Sequence, residues 1–216
     1  MIIAIDGTSA SGKGTIGKWL AHKLNFAYLD TGLMYRFVAF KALEKNCYQN
    51  EDDVINLTKA LDFHNLDAIE TNLKSNEIAS ITSKYIAKIQ SVRNILIEFQ
   101  QNFGSNPSSF INQSVLGAVV DGRDMGTKVF PNANLKFFIT ASAPQRAKRR
   151  YKELKDNTPL VSYEDILESL ILRDNQDRNN GNFDKSPQAI EIDTTNLTKE
   201  ESCELVYQYT IEKLGL

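Results

Sequence analysis

Short apolar runs alternate along most of the chain with segments whose apolar residues recur at helical spacing. Five runs are short and nearly continuous, as strands covered on both faces are: residues 1–6, 26–30, 114–121, 135–140 and 189–194. Strands that alternate with helices favour parallel pairing through right-handed crossovers. The pattern therefore predicts an α/β fold with a five-stranded parallel sheet flanked by helices.

One part of the chain departs from this alternation. Residues 51–103 show helical spacing but contain no strand-like run, and we predict helices at 51–61 and 77–103. This stretch is interpreted as an insertion into a core made by residues 1–50 and 104–216. The chain is thus expected to form one unit with a core and an insertion.

Polar or turn-forming segments complete the prediction. Residues 62–76 have no clear periodicity, residues 106–109 read as a turn, and residues 155–162 read as a polar loop. The last helix is expected to begin near Thr198, because Glu201 three residues later completes a capping-box pattern.

Composition and charge exclude several classes of protein. The 216 residues are 42% hydrophobic and carry a net charge of −2, which disfavours broad nucleic-acid binding. No apolar run reaches the roughly 18 residues of a membrane span, and no signal peptide is recognisable. The two cysteines lie far apart, without metal-ligand spacing. We expect a cytoplasmic protein that binds neither membrane nor nucleic acid.

The first strand is followed by a glycine-rich loop and then by a helix. The loop residues are Gly7, Thr8, Ser9, Ala10, Ser11, Gly12, Lys13, Gly14 and Thr15. Its glycines let successive N–H groups converge on a phosphate, and Lys13 adds a full positive charge at the helix start. Gly14 stands where serine or threonine normally follows the lysine, and Thr15 comes one residue later. The alternative is a plain glycine-rich turn, but the flanking elements favour a nucleoside triphosphate site.

An acid at the end of the third strand is a candidate magnesium ligand. Asp121 follows Val119 and Val120, the arrangement that holds Mg²⁺ through water beside a phosphate loop. Such an acid is also common without a metal, and the nearby phosphate loop favours the functional interpretation. Thr15 is the second metal candidate. Asp124 adds another carboxylate at the same edge of the sheet.

Arginines are the second group of candidate residues, because a guanidinium can hold phosphoryl oxygens with two donors. The set is Arg36, Arg93, Arg123, Arg146, Arg149, Arg150, Arg173 and Arg178. For each one, a solvated position on a helix face is the alternative. No Ser/His/Asp set is evident. An acceptor that is itself a phosphate would need no general base, only positioning and charge neutralisation.

Four segments resemble the bacterial cytidylate kinase family in sequence, order and spacing. They are GTSASGKGT at 7–15, LDTGLMYR at 29–36, DGRDMGT at 121–127 and RDNQDRN at 173–179. The third is far more specific than the phosphate loop, which many kinases share. The resemblance covers nearly the whole chain, and the Lys-Gly-Thr ending of the loop is found in nucleoside monophosphate kinases.

The resemblance implies a P-loop kinase fold with a nucleoside-monophosphate-binding insertion at 51–103 and a lid at about 152–164. It implies transfer of the ATP γ-phosphoryl group to CMP or dCMP with Mg²⁺. Separately, we expect the protein to be a monomer. Residues 62–76 are shorter than in the family, so a small sheet there is expected to be reduced or missing. Asn180 stands where the family often has another phosphate-binding arginine, which puts CMP affinity in doubt.

Matching motif positions implies roles for individual residues. Around the CMP phosphate the resemblance places Thr31, Arg36 and Arg123, and Asp30 is a further CMP-binding candidate. At the cytosine it places Ser83, Arg93 and Asp124, and at the sugar or phosphate Arg173 and Asp177. The lid would bring Arg149 or Arg150 onto ATP, with Arg146 as a further candidate. The implied catalytic residues are Lys13, Arg123, Arg149, Arg150 and Arg173.

Two alternatives remain open from the sequence. One is a P-loop kinase for another small acceptor, such as UMP, AMP or shikimate. The other is a nucleotide-dependent switch or binding module, but no Asn-Lys-x-Asp guanine reader is present.

Overall fold

The computed structural model describes four stretches of the chain, residues 1–64, 66–154, 162–179 and 184–216. Two predictions fall wholly or partly outside them. Asn180 is not among the described residues, and neither is most of the predicted polar loop at 155–162, which is also the centre of the expected lid.

The chain divides into two compact units. The larger comprises Met1–Leu29 and Val115–Leu216, and the smaller comprises Asp30–Ser114. The smaller unit is longer at both ends than the insertion expected at 51–103. The reason lies in packing, because the first helix of this unit packs against its other helices rather than continuing the core pattern.

Five strands form the sheet of the larger unit. They are β1 (Ile2–Gly7), β2 (Ala27–Asp30), β3 (Ala118–Asp121), β4 (Leu135–Thr140) and β5 (Ile190–Asp193). Their order in the sheet is β2-β3-β1-β4-β5. β1 pairs in parallel with β3 and β4, and β4 pairs in parallel with β5. The predicted five-stranded α/β fold is confirmed, with β1 in the centre.

Ten α-helices lie within the described residues. They are α1 (Lys13–Leu24), α2 (Thr31–Glu44), α3 (Glu51–Ala60), α4 (Glu70–Leu73), α5 (Asn76–Lys84), α6 (Gln90–Ser105), α7 (Pro107–Ile111), α8 (Ala143–Leu154), α9 (Tyr163–Asn179) and α10 (Lys199–Leu214). Short 3₁₀ turns lie at Leu66–Ile69 and Ile86–Lys88, and a π-helical turn lies at Met125–Val129. None of the helices in these stretches combines the length and apolar character needed to span a membrane.

One face of the sheet packs against α1 and α10. Ile3, Ile5 and Phe137 from the strands are fully buried there, with Leu20 from α1 and Val206 from α10. Burying such side chains contributes about 1.5–3 kcal/mol each. This packing holds α1, which directly follows the loop after β1, against the sheet. The capping box predicted at the start of α10 is present, with Thr198 and Glu201 bonding each other's main-chain N–H.

After Asp30, which ends β2, the regular secondary structure in the described part of the smaller unit is helical. Its core includes Val38, Val54, Leu73 and Leu96, all fully buried. Phenylalanines from several helices meet edge to face beside this core, among them Phe99 and Phe110 with ring centroids 5.2 Å apart. Residues 62–76, which are shorter than in the family, include a 3₁₀ turn and α4. No strand lies in the described part of this stretch.

Three details of the sequence prediction are wrong. The helix expected at 77–103 is two helices, because the chain turns at Tyr85 and becomes extended at Ile89, which lets both Ile86 and Ile89 reach the core. The expected turn at 106–109 lies in α7, whose first residue is proline. The third strand is shorter than 114–121, since it begins only at Ala118.

The burial of the two cysteines predicts different reactivity. Cys203 is 2% exposed in the core and burial raises the pKa of its thiol, whereas Cys47 is half-buried. The thiolate is the reactive form, so we expect iodoacetamide at pH 8 to modify Cys47 at least about tenfold faster than Cys203. Peptide mass spectrometry measures both rates, and unfolding in guanidinium should make them similar. Equal rates in the folded protein would contradict the burial of Cys203.

Candidate active site

The phosphate loop leaves β1 at Gly7, where only glycine fits. Gly7 has a φ of +151°, and a Cβ there would lie 2.0 Å from the carbonyl oxygen of Ile139 on the neighbouring strand β4. The same carbonyl accepts a hydrogen bond of 3.2 Å from the N–H of Thr8. The start of the loop is therefore held at the carboxyl edge of the sheet, before the first turn of α1.

Two hydroxyl groups of the loop lie ready for a polar ligand. Thr8 Oγ1 and Ser11 Oγ are buried and have no hydrogen-bond partner among the described residues. Lys13 Nζ lies 3.4 Å from the carbonyl oxygen of Thr8, at the start of α1. Buried hydroxyls without a partner are costly, and an anion with several acceptor oxygens would satisfy them.

Arg146 of α8 binds the main chain of the loop. Its Nη1 donates to the carbonyl oxygen of Ser9 at 3.0 Å, and its Nε donates to that of Ala141 at 2.8 Å. The guanidinium also forms a bidentate pair with Asp174 of α9, at 3.1 and 2.5 Å. Arg146 is only 3% exposed, so its donors bind the protein itself.

Arg149 lies one turn further along α8 and binds another main-chain carbonyl of the loop. It donates to the carbonyl oxygen of Ser11 at 3.4 Å and to Thr194 Oγ1 at 3.0 Å. It also donates to the carbonyl oxygens of Thr194 and Leu197, after β5. Burial lowers the pKa of Arg149, and the nearby Asp193 opposes this shift. Arg150 instead pairs with Glu153 on the surface of the same helix.

Asp121 lies at the end of β3, next to the first turn of α1. Its carboxylate accepts a hydrogen bond of 2.8 Å from the hydroxyl of Tyr28. A Cβ at Gly14 would lie 3.3 Å from Asp121 Oδ2 and 3.5 Å from the Tyr28 hydroxyl. Glycine at this loop position therefore leaves room for the Tyr28–Asp121 pair, while the side chain of Thr15 is exposed.

Asp121 offers a magnesium ion a buried carboxylate beside the loop. Asp121 is 3% exposed and adjoins the loop, and a carboxylate is a ligand that Mg²⁺ prefers. In the described stretches, no three His, Cys, Asp or Glu side chains are grouped to hold a metal by themselves. This donor set fits an ion held mainly by water and by nucleotide phosphates.

The segment after Asp121 carries two of the predicted acceptor residues. Arg123 Nε donates to Asp177 Oδ2 of α9 at 3.1 Å, so two predicted residues far apart in sequence meet. Asp124 is 3% exposed, has a left-handed φ of +61°, and pairs with Lys128 at 3.0 Å. Arg173 lies one turn before Asp177 on α9 and is half-buried.

The other predicted acceptor residues belong to the smaller unit. Asp30 caps α2 by accepting from the N–H of Leu33 at 3.3 Å. α2 also carries Thr31, which is buried, and Arg36, whose Nη1 donates to the carbonyl oxygen of Leu73 at 3.1 Å.

Ser83 and Arg93 complete this group. α5 packs against α2. It carries Ser83, which is exposed and whose hydroxyl donates to the carbonyl oxygen of Ser80 in the same helix. Arg93 on α6 is half-buried.

A family model supplies the comparison that decides the family. The model described as cytidylate kinase matches residues 3–212, nearly the whole chain. The chain belongs to the cytidylate kinase family. The sequence resemblance is thereby confirmed over both units.

Relatives named cytidylate kinase agree with this assignment. One from Fusobacterium nucleatum is 40% identical over 214 residues, covering 93% of each chain. One from Thermosipho melanesiensis is 40% identical and covers 99% of this chain and 98% of its own. One from Clostridioides difficile is 36% identical and covers 100% and 99%.

The sequence interpretation missed several residues that shape this family site. Tyr28, Asp174 and Thr194 each bind a predicted residue or the loop, but their partners lie 93, 28 and 183 positions away. Asp6 was also missed, although an acid ending the apolar first strand was a signal as clear as Asp121. Its carboxylate bonds the main chain of the segment after Asp121.

The Arg146–Asp174 pair makes a testable energetic prediction. Arg146→Met leaves a buried carboxylate without its partner, and we expect the free energy of unfolding to fall by about 3–5 kcal/mol. The double variant Arg146→Met/Asp174→Leu should lose less than Arg146→Met alone, because no unpaired charge remains. Urea unfolding measures both. Arg150→Met removes an exposed pair and should change stability by less than about 1 kcal/mol.

A double variant as unstable as Arg146→Met would show that the pair's charge is not what matters.

Proposed function

We propose that this chain transfers the γ-phosphoryl group of ATP to CMP or dCMP, giving ADP and CDP or dCDP in pyrimidine nucleotide metabolism. The observation that carries the proposal is the close packing of two segments in the larger unit. The phosphate loop lies directly beside Asp121, because a Cβ added at Gly14 would lie only 3.3 Å from that carboxylate. The loop would hold the donor, and Arg123 and Asp124 after Asp121 would hold the acceptor.

The donor half uses the loop from Gly7 to Thr15. The N–H groups of the loop, the hydroxyls of Thr8 and Ser11, and Lys13 would bind the phosphates of ATP. Asp121 would hold Mg²⁺ through water, with the exposed Thr15 hydroxyl as a second candidate. When bound, the ion neutralises charge on the phosphate oxygens.

The acceptor half is assigned residue by residue. In the smaller unit we assign Thr31 and Arg36 to the acceptor phosphate and Ser83 and Arg93 to the base, with Asp30 as a further CMP-binding residue. In the larger unit we assign Arg123, Arg173 and Asp177 to the phosphate and sugar, and Asp124 to the base. The Arg123–Asp177 contact supports the assignment within the larger unit, since it joins two of its residues.

Asp124 has the chemistry to read cytosine. A carboxylate accepts from the N4 amino group of cytosine, whereas the O4 of uracil would face it as a second acceptor. A buried polar group left unpaired costs about 1–3 kcal/mol, which corresponds to roughly ten- to a hundredfold discrimination. Asp124 is 3% exposed, so water has little access to replace a missing N4 donor.

No general base is required for this reaction. The acceptor phosphate is already anionic near neutral pH, so the protein must position it and neutralise charge on the moving group. Lys13, Arg123 and Arg173 would supply that charge. Arg149 and Arg150 are the candidates from α8 for contacts with ATP, and Arg149 already contacts the loop through the Ser11 carbonyl.

We further propose that the protein acts as a monomer in the cytoplasm, without nucleic acid or membrane as a partner. The residues assigned to both substrates lie within one copy of the chain, which is what motivates the monomer proposal. A net charge of −2 offers no excess of basic groups for a nucleic acid.

A panel of acceptors tests the proposed reaction. With ATP and Mg²⁺, we expect CMP and dCMP to give rapid ADP formation, and UMP, AMP and shikimate to give much less. A coupled assay measures ADP, and chromatography identifies CDP. Lys13→Ala should remove nearly all CMP-dependent ADP formation at unchanged thermal stability, because the donor phosphates lose their lysine. Preference for another acceptor would replace CMP in the proposal, and full activity of Lys13→Ala would refute the role of Lys13.

Asp124→Asn should weaken the choice between bases. The amide can both donate and accept, so it no longer repels uracil, and the CMP/UMP ratio of kcat/KM should fall by about tenfold or more. The matched control is Lys128→Gln, which removes the salt-bridge partner of Asp124 but keeps the carboxylate. This control should keep most of the preference for CMP. A ratio unchanged by Asp124→Asn would exclude Asp124 as the base reader.

A further inference from the structure

Asp6 is a buried carboxylate that the proposed reaction does not use directly. It is the residue before Gly7 at the end of β1 and is only 6% exposed. Its Oδ1 accepts from the N–H of Met125 and its Oδ2 from the N–H of Gly126, each at 2.8 Å. One carboxylate therefore holds two consecutive peptide groups nearly 120 positions away.

These two bonds close one end of a very short loop. At its other end, the N–H of Gly122 donates to the carbonyl oxygen of Ile5 at 3.0 Å. Only Arg123 and Asp124 lie between the two attachments, and both are assigned to the acceptor. Neighbouring residues of β1, Ile5 and Asp6, thus hold both ends of the segment that presents them.

The backbone of Asp124 needs such a restraint. Its φ of +61° lies in the left-handed region, which is unfavourable for an L-residue even though aspartate enters it more readily than most. The π-helical turn that follows begins directly after it, with the N–H groups of Lys128 and Val129 donating to its carbonyl oxygen. The two bonds to Asp6 fix the first N–H groups of that turn, so they stabilise the strained residue before it.

The fit of the carboxylate is close. A Cβ at Gly126 would lie 3.3 Å from Asp6 Oδ2 and 3.2 Å from Lys136 Cδ. Burial raises the pKa of Asp6, partly opposed by the two N–H groups of Gly126 and Met125. An acid kept buried despite this cost, with both oxygens on one loop, is well suited to position that loop.

We propose that Asp6 is a positioning residue that sets base preference by holding the 122–126 segment in the conformation that presents Asp124. The inference rests on the proposed function, since Asp124 matters here as the reader of cytosine. Asp6 itself touches neither substrate in this account. It acts through the main chain of Met125 and Gly126.

The first test is Asp6→Asn, which keeps the shape of the side chain but turns one acceptor into a donor facing an N–H group. We expect the CMP/UMP ratio of association constants, measured by calorimetry without ATP, to fall by about fivefold or more, with ATP affinity changed by less than twofold. The matched control is Asp193→Asn. Asp193 also ends a strand and accepts from a nearby N–H group, that of Thr195 at 2.8 Å. It should leave the CMP/UMP ratio unchanged.

Hydrogen exchange tests the restraint without any substrate. In Asp6→Asn the amides of Met125 and Gly126 should exchange at least about tenfold faster, while the amide of Gly122 keeps its protection. Gly126→Ala crowds the same contact from the other side, and should shift exchange and base ratio in the same direction. It keeps the inference testable if Asp6→Asn fails to fold.

The outcomes separate this inference from the reaction itself. Wild-type protein that fails to bind or phosphorylate CMP would overturn the proposed function, whereas the exchange experiment would still show whether Asp6 restrains the loop. An unchanged CMP/UMP ratio in Asp6→Asn, with normal wild-type activity, would overturn this inference alone. Loss of ATP affinity with the ratio intact would also overturn it, and would show that Asp6 acts on the phosphate loop.

Discussion

The close approach of Gly7 to the Ile139 carbonyl is the constraint on which the site depends. Because no side chain fits between them, the chain can leave the central strand sharply and begin the phosphate loop at the sheet's edge. The strand order places β3 and β4 on either side of β1. β3 therefore ends, at Asp121, beside the loop, and the segment that carries Arg123 and Asp124 follows directly.

The arginines divide into groups that the sequence does not distinguish. Arg146 and Arg149 donate most of their hydrogen bonds to main-chain carbonyls, and Arg146 also pairs with the buried Asp174. Arg123 reaches α9 through Asp177. Positive charge near a phosphate site thus serves two purposes, binding the substrate and shaping the loop that binds it. Counting arginines in a motif measures both together.

Local patterns predicted what depends on local chemistry. The strands, the phosphate loop and the Thr198–Glu201 capping box follow from residues near one another in the chain, and all are present in the structure. The break at Tyr85–Ile89 was missed because the apolar spacing on both sides suits one helix equally well. The contacts of Tyr28, Asp174 and Asp6 could not be predicted, because each partner is brought close only by the folded sheet and helices.

The anchored carbonyls of the phosphate loop have a consequence for its electrostatics. In a trans peptide, the C=O of one residue and the N–H of the next point in opposite directions. Arg146 draws the Ser9 carbonyl towards α8, and Arg149 does the same to the Ser11 carbonyl. The N–H groups of Ala10 and Gly12 must then point away from these arginines. Two cations thereby orient the peptide dipoles of the loop before any anion arrives, so that part of the organisation needed for binding is already built into the folded chain.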